Sequence, residues 1–171
     1  MQGYVDALTQ EIRKRATEYT DKKVVSVFFG GGTPTTLSIP MLEQLMQAVF
    51  ENWDIAEDAE ITTEANPGTL DREMADALKK MGFNRLSMGV QAWQNRLLKS
   101  LGRIHSIEVF QDNFNAVREA GFENVNTDLM FALPNQSMAD WQETVKNTVG
   151  MNGTHIMKSD YKNSLELLKN S

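Results

Sequence analysis

The sequence predicts an α/β chain: a parallel sheet, or a barrel left partly open, with helices over its outer face. Three observations predict it. Short β-rich runs alternate with stretches of helical periodicity along most of the 171 residues, the pattern of successive βα units. A local pattern recurs in Lys80-Met81-Gly82-Phe83-Asn84 and Glu119-Ala120-Gly121-Phe122-Glu123, where a helix end and a glycine cap lead through phenylalanine into a strand. Strand parity supplies the third. Alternate side chains leave a strand on opposite faces, and one face carries Glu60, Thr62 and Glu64, then Ser87, Gly89 and Gln91, then Asn124, Asn126 and Asp128. The other carries Ile61 and Ala65, Leu86, Met88 and Val90, and Val125, Thr127 and Leu129. The second set suits packing under helices. The first is small or polar, unlike the branched aliphatic filling of a closed barrel, and suits a wet face that lines a ligand site.

The elements follow in order. Val5, Leu8 and Ile12 fall at helical spacing, which predicts an amphipathic helix over residues 2–20. Residues 24–29 form a strand that runs into Gly30-Gly31-Gly32-Thr33-Pro34. Ser38 caps the next helix, whose buried stripe is Leu42, Leu45, Met46 and Val49. Residues 60–64 are a short strand closed by the turn Ala65-Asn66-Pro67-Gly68. Thr69 is the expected cap of a helix with Met74, Leu78 and Met81 inward, Lys79 and Lys80 near its end and Gly82 stopping it. A strand over 85–90, a short helix over 94–101 and a longer helix over 107–120 follow, the last with Phe110, Phe114 and Val117 inward. Residues 124–129 are a strand, and Ser137 with Asp140 reads as a capping box.

Composition narrows the function. The net charge is −6 with no basic cluster, which argues against nucleic acid as a main partner. No apolar run reaches the roughly 18 residues of a membrane span, and Met1-Gln2-Gly3-Tyr4-Val5-Asp6 lacks an apolar signal core. The expected location is cytoplasmic. There is no cysteine, hence no disulfide and no thiolate metal site in these residues.

The strand ends concentrate the remaining chemistry. Three consecutive glycines let a backbone approach a ligand closely or take φ > 0; a plain turn uses the same residues. Glu64 and Asp128 offer carboxylates for an ammonium or for ribose hydroxyls, Gln91 can donate and accept, and Arg103 can fork onto a carboxylate. The set suits a ligand with an amino acid head and a ribose. His105 is a candidate proton donor, and Trp53, Trp93 and Trp141 read as packing.

Five motifs stand in a familiar order: Phe29-Gly30-Gly31-Gly32-Thr33-Pro34, Thr63-Glu64-Ala65-Asn66-Pro67, Asn84-Arg85-Leu86-Ser87-Met88-Gly89-Val90-Gln91, Leu101-Gly102-Arg103-Ile104-His105 and Asp128-Leu129-Met130-Phe131-Ala132-Leu133-Pro134. Over residues 2–156 the chain resembles the radical S-adenosylmethionine (SAM) proteins of the oxygen-independent coproporphyrinogen III oxidase group. Glu64-Ala65-Asn66-Pro67-Gly68 and Leu101-Gly102-Arg103-Ile104-His105 are closer to its heme chaperone branch, HemW.

The resemblance implies a partial (β/α) barrel of the radical SAM type with outer helices, here incomplete at both ends. It implies that Gly31, Gly32 and Thr33 hold the methionine amino group with Glu64 beside them, that Arg103 takes the carboxylate, and that Gln91 and Asp128 take the ribose hydroxyls. In the oxidase, SAM cleavage on a 4Fe–4S cluster starts propionate decarboxylation; in the chaperone branch, heme passes to acceptor proteins. The cluster-binding C-x3-C-x2-C motif would lie before the first helix, and no cysteine is present. The expectation is therefore a fragment of a HemW-like protein of heme metabolism, with a partial core over 1–156 and a divergent tail over 157–171. SAM is the expected cofactor; the 4Fe–4S cluster belongs to the longer parent, and heme or porphyrin and heme-acceptor proteins are further partners. The alternatives are the oxidase itself, and a cysteine-free binding module derived from it. An incomplete barrel should also leave residues 24–29 and 124–129 as edge strands and fold poorly alone.

Overall fold

The computed structural model describes residues 1–151, 153 and 155–160. Its order is α1 (Gln2–Ala16), β1 (Lys23–Phe29), a single 3-10 turn (Pro34–Thr36), α2 (Ile39–Asn52), β2 (Asp54–Ala65), α3 (Arg72–Lys80), β3 (Arg85–Gln91), α4 (Asn95–Ser100), α5 (Ile107–Glu119), β4 (Asn124–Phe131), α6 (Met138–Gly150) and β5 (His155–Asp160). The five strands lie in sequence order, β1-β2-β3-β4-β5, and every pairing is parallel. Helices connect all of them, as parallel pairing demands. The expected α/β fold is present, a partial (β/α) barrel.

Parity divides the sheet into an apolar and a polar face as expected, but Thr62, Gln91 and Asn126 of the polar face are buried rather than wet. Leu86, Met88, Val90, Val125 and Leu129 are fully buried and join Ile61 and Ala65 in one core with Leu78, Phe110, Phe114 and Val117 of the helices. Both phenylalanines of the repeated Gly-Phe pattern, Phe83 and Phe122, are buried there, after Gly82 and Gly121 at φ 96° and 89°. Burying each such side chain is worth roughly 1.5–3 kcal/mol. The opposite face is polar and bonded across strands: Arg85 Nη1 donates to both oxygens of Glu60 at 2.9 Å.

Several boundaries differ from expectation, each for a local reason. The first helix stops at Ala16 rather than near residue 20, because the Thr17 hydroxyl donates to the Lys14 carbonyl and competes with the next turn. β2 begins at Asp54, not 60, since its acidic start pairs with Lys23 and Val24 before a register shift; backbone pairing outweighs the low strand propensity of Asp and Glu. Asp71, not Thr69, caps α3, its side chain accepting from the Met74 N–H. The Thr69 hydroxyl is engaged by the Asn66 carbonyl and Thr35. The capping box of Ser137 and Asp140 is present on both sides.

At the sheet's far side the expectation needs correcting. β4 is not an edge, because β5 pairs along it from Asn126↔His155 to Phe131↔Asp160. That strand crosses the expected boundary at 156; residues 161–171 of the predicted tail lie outside the described residues. β1 pairs only with β2 among the described residues, and Val25 and Phe28 on it are 70% and 62% exposed.

Candidate ligand site at the strand ends

The C-terminal ends of β1 to β4 and the loops after them form the candidate site, where parallel α/β folds bind ligands. At the end of β1 the chain needs Gly31 and Gly32, which stand at φ 80° and 64°, a conformation costly for residues with a Cβ. The Gly31 N–H donates to Glu64 Oε2 at 3.2 Å. Glu64, at the end of β2, thus has one oxygen on the glycine loop. A Cβ added at Gly32 would meet nothing within 4 Å. A cavity of about 630 Å³ opens beside this loop toward α1, lined by Tyr4, Leu8, Ile12, Phe28 and Leu37 among others.

Thr33 connects to the next loop. Asn66 Nδ2 donates to Thr33 Oγ1 at 2.8 Å, and Arg103 Nη1 donates to Asn66 Oδ1 at 3.3 Å. The Arg103 guanidinium is partly buried, and desolvation pulls its pKa down while the nearby charge of Asp128 opposes the shift. It has no ion pair among the described residues.

Gln91 departs from simple parity. It stands at φ 65°, and the β3–β4 register shifts between Gly89 and Gln91. This left-handed turn is unusual for a residue with a side chain, and it folds the amide back over Gly89. A Cβ on Gly89 would lie 2.5 Å from Gln91 Nε2 and 3.9 Å from Asn66 Oδ1. Gly89 is therefore the floor on which Gln91 rests, and Gly89 pairs across the ladder with Asp128.

Asp128 is held from below. Ser87 Oγ donates to Asp128 Oδ2 at 3.2 Å, while Asn126 Nδ2 donates to Asp128 Oδ1 and to Ser87 Oγ, each at 2.8 Å. Burial pushes the Asp128 carboxyl above its ordinary value; the bonds from Ser87 and Asn126 and the charges of Arg103 and Arg85 pull the other way. Asn126 is buried with its Oδ1 unpartnered among the described residues. His105, the candidate proton donor, is buried with Nε2 unpartnered among the described residues. Burial first and the Arg103 charge second lower its pKa, so it is neutral at physiological pH.

Of the seven predicted residues, Gly31 and Glu64 are bonded directly and Thr33 and Arg103 are joined through Asn66; Gln91 lies over Gly89, whose cross-strand partner is Asp128, and Gly32 follows Gly31 in the glycine loop. The predicted set omits Asn66, Ser87 and Asn126. Ser87 and Asn126 carried a signal, since both fall on the polar face. Asn66 was hidden inside a turn motif, because Asn-Pro-Gly explains itself as a chain reversal.

The Radical SAM superfamily profile matches residues 3–147. The chain belongs to the radical SAM superfamily. Among curated radical SAM relatives, it is 36% identical over 154 residues to "Heme chaperone HemW" of Lactococcus lactis, covering 90% of this chain and 40% of that protein. It is equally 36% identical over 158 residues to "Oxygen-independent coproporphyrinogen III oxidase" of Salmonella typhimurium, covering 92% of this chain and 35% of that protein. Among solved structures, coproporphyrinogen III oxidase (HemN) of Escherichia coli, a radical SAM enzyme, superimposes with a TM-score of 0.87 at 35% identity, over 94% of this chain and 37% of that one. The chain thus spans about two fifths of the length of these relatives. No helix among its described residues is long and apolar enough to cross a membrane.

Proposed function

We propose that this radical SAM chain is the adenosylmethionine-binding part of a cytoplasmic heme chaperone of the HemW kind. One observation carries the reading: a half-buried guanidinium with no ion pair among the described residues, Arg103, stands at the strand ends with a carboxylate, Glu64, bonded to a glycine loop. Opposite charges that form no ion pair with each other match the carboxylate and ammonium of an amino acid head. Glu64 Oε1, with the Gly31 and Gly32 carbonyls and the Thr33 hydroxyl, would take the ammonium. Arg103 would take the carboxylate, and Asp128 and Gln91 the ribose hydroxyls, since carboxylates accept from hydroxyls and amides do both.

Bound SAM supplies an activated adenosyl group on a sulfonium. These residues would bind and orient it. The donor set fits SAM but not an iron–sulfur cluster, whose thiolates these 171 residues do not contain, and no step through a cluster is derived. Heme and heme-acceptor proteins are the further partners this reading names, in keeping with the relatives called HemW. Equal identity to the oxidase supports a second reading, part of a coproporphyrinogen III oxidase; saturable heme binding by the chain, followed at the Soret band, would favour the chaperone.

Isothermal titration with S-adenosylhomocysteine tests the site. Arg103→Ala is expected to weaken binding about tenfold or more, the worth of a hydrogen bond to a charged group. Unchanged affinity in that variant would overturn the assignment.

A further inference from the structure

We infer that Asn66 is the positioning residue of this site: its amide sets Arg103 and Thr33 for the ligand's amino acid head while leaving both free to bind it. The inference rests on the adenosylmethionine reading above. Asn66 is itself fixed. Pro67 after it restricts its backbone to extended geometry. Its carbonyl accepts from the Thr69 N–H at 3.1 Å and the Thr69 hydroxyl at 2.8 Å. Thr69 in turn shares a 2.6 Å bond with Thr35 on the glycine-loop side, and the Gly68 N–H donates to Asn113 Oδ1 of α5 at 2.8 Å. The turn is tied to the loop before it and to the helix layer.

From that anchor both ends of the amide are used. Nδ2 donates to Thr33 Oγ1 and Oδ1 accepts from Arg103 Nη1. The chemical type matters as much as the distances. A carboxylate here would form an ion pair with Arg103 and compete with the ligand's own carboxylate. An amide oxygen holds the guanidinium by one N–H and adds no negative charge beside it. Likewise a Thr33 hydroxyl that accepts from Asn66 on one lone pair keeps the other for the ligand's ammonium. Arg103 needs such a hold, because it sits in a loop whose next residue, Ile104, is 91% exposed. Asn66 Oδ1 also lies over the Gly89 floor near the Gln91 amide, so one side chain relates three rim loops.

The test compares two ligands on the 171-residue chain: S-adenosylhomocysteine, which carries the amino acid head, and 5′-methylthioadenosine, which lacks it. Asn66→Ala is expected to weaken the first about tenfold and leave the second within about twofold. A general loosening of the fold would weaken both and overturn the inference. If Arg103→Ala loses the preference for S-adenosylhomocysteine but Asn66→Ala keeps it, the site reading stands and the role of Asn66 fails. If the unaltered chain shows no preference, or binds neither ligand, both fail together. Should Asn66→Ala not fold, the isosteric Asn66→Asp decides: an ion pair with Arg103 should selectively weaken S-adenosylhomocysteine, and equal affinity for it would overturn the inference.

Discussion

Burial of the Asp128 carboxylate costs the fold stability. The carboxyl is raised above 3.8 by burial despite the bonds from Ser87 and Asn126, so the folded chain binds this proton more tightly than the unfolded chain. Stability therefore falls as pH rises from 3.8 through the raised value, and stays lower above it. Asp128→Asn keeps an acceptor for Asn126 and removes the desolvated charge. It should melt at a higher temperature at pH 7 by calorimetry and bind S-adenosylhomocysteine more weakly; a lower melting temperature would contradict this account. His105 has the opposite sign. Its folded pKa lies below 6.5, so the stability it contributes is present above 6.5 and is lost as pH falls through the lowered value. Melting temperatures taken from neutral pH downward should fall less steeply for His105→Gln than for the unaltered chain.

At the scale of elements, the loop that ends β4 holds a conformation its residue does not favour. Ala132 stands at φ 60°, where the Cβ of an L-residue crowds the following carbonyl. Ala132→Gly removes that crowding at some cost in unfolded-state entropy. The net expectation is a gain of roughly 1 kcal/mol, read from urea unfolding. A loss of stability would show that Ala132 packs usefully where it stands. The same physics at Gln91 has a different meaning, because there the left-handed turn delivers an amide to the rim. Positive φ at a strand end is thus costly in both places and, on the proposed reading, serves binding in one.

For the whole molecule, the sheet is covered on one face by helices and has different sides. β4 is protected by β5, whereas β1 shows an open edge among the described residues with Val25 and Phe28 exposed. Such an edge is a template for pairing with another chain. The isolated chain should self-associate with rising concentration, and Val25→Lys should shift it toward the monomer in light scattering. Failure of the lysine to alter association would place the contact elsewhere. The expectation of poor independent folding belongs at this scale too, and a sharp cooperative thermal transition of the monomer would count against it.

The sequence by itself determined the order of strands and helices, the division of the sheet into an apolar and a polar face, and the residues at the strand ends. These are short-range matters: period two in strands, helical spacing in α2 and α5, and glycine where φ is positive. Gly31, Glu64 and Asp128 were legible because strand parity and strand ends locate side chains without knowledge of neighbours. Tertiary structure decided what depends on distant partners. The start of β2 at Asp54 came from pairing with β1, and the covering of β4 came from β5. The bend at Gln91 came from a register shift against β4. Above all, Asn66 reads as a turn residue in one dimension; only folding brings Thr33, 33 residues before it, and Arg103, 37 after it, to the two ends of its amide.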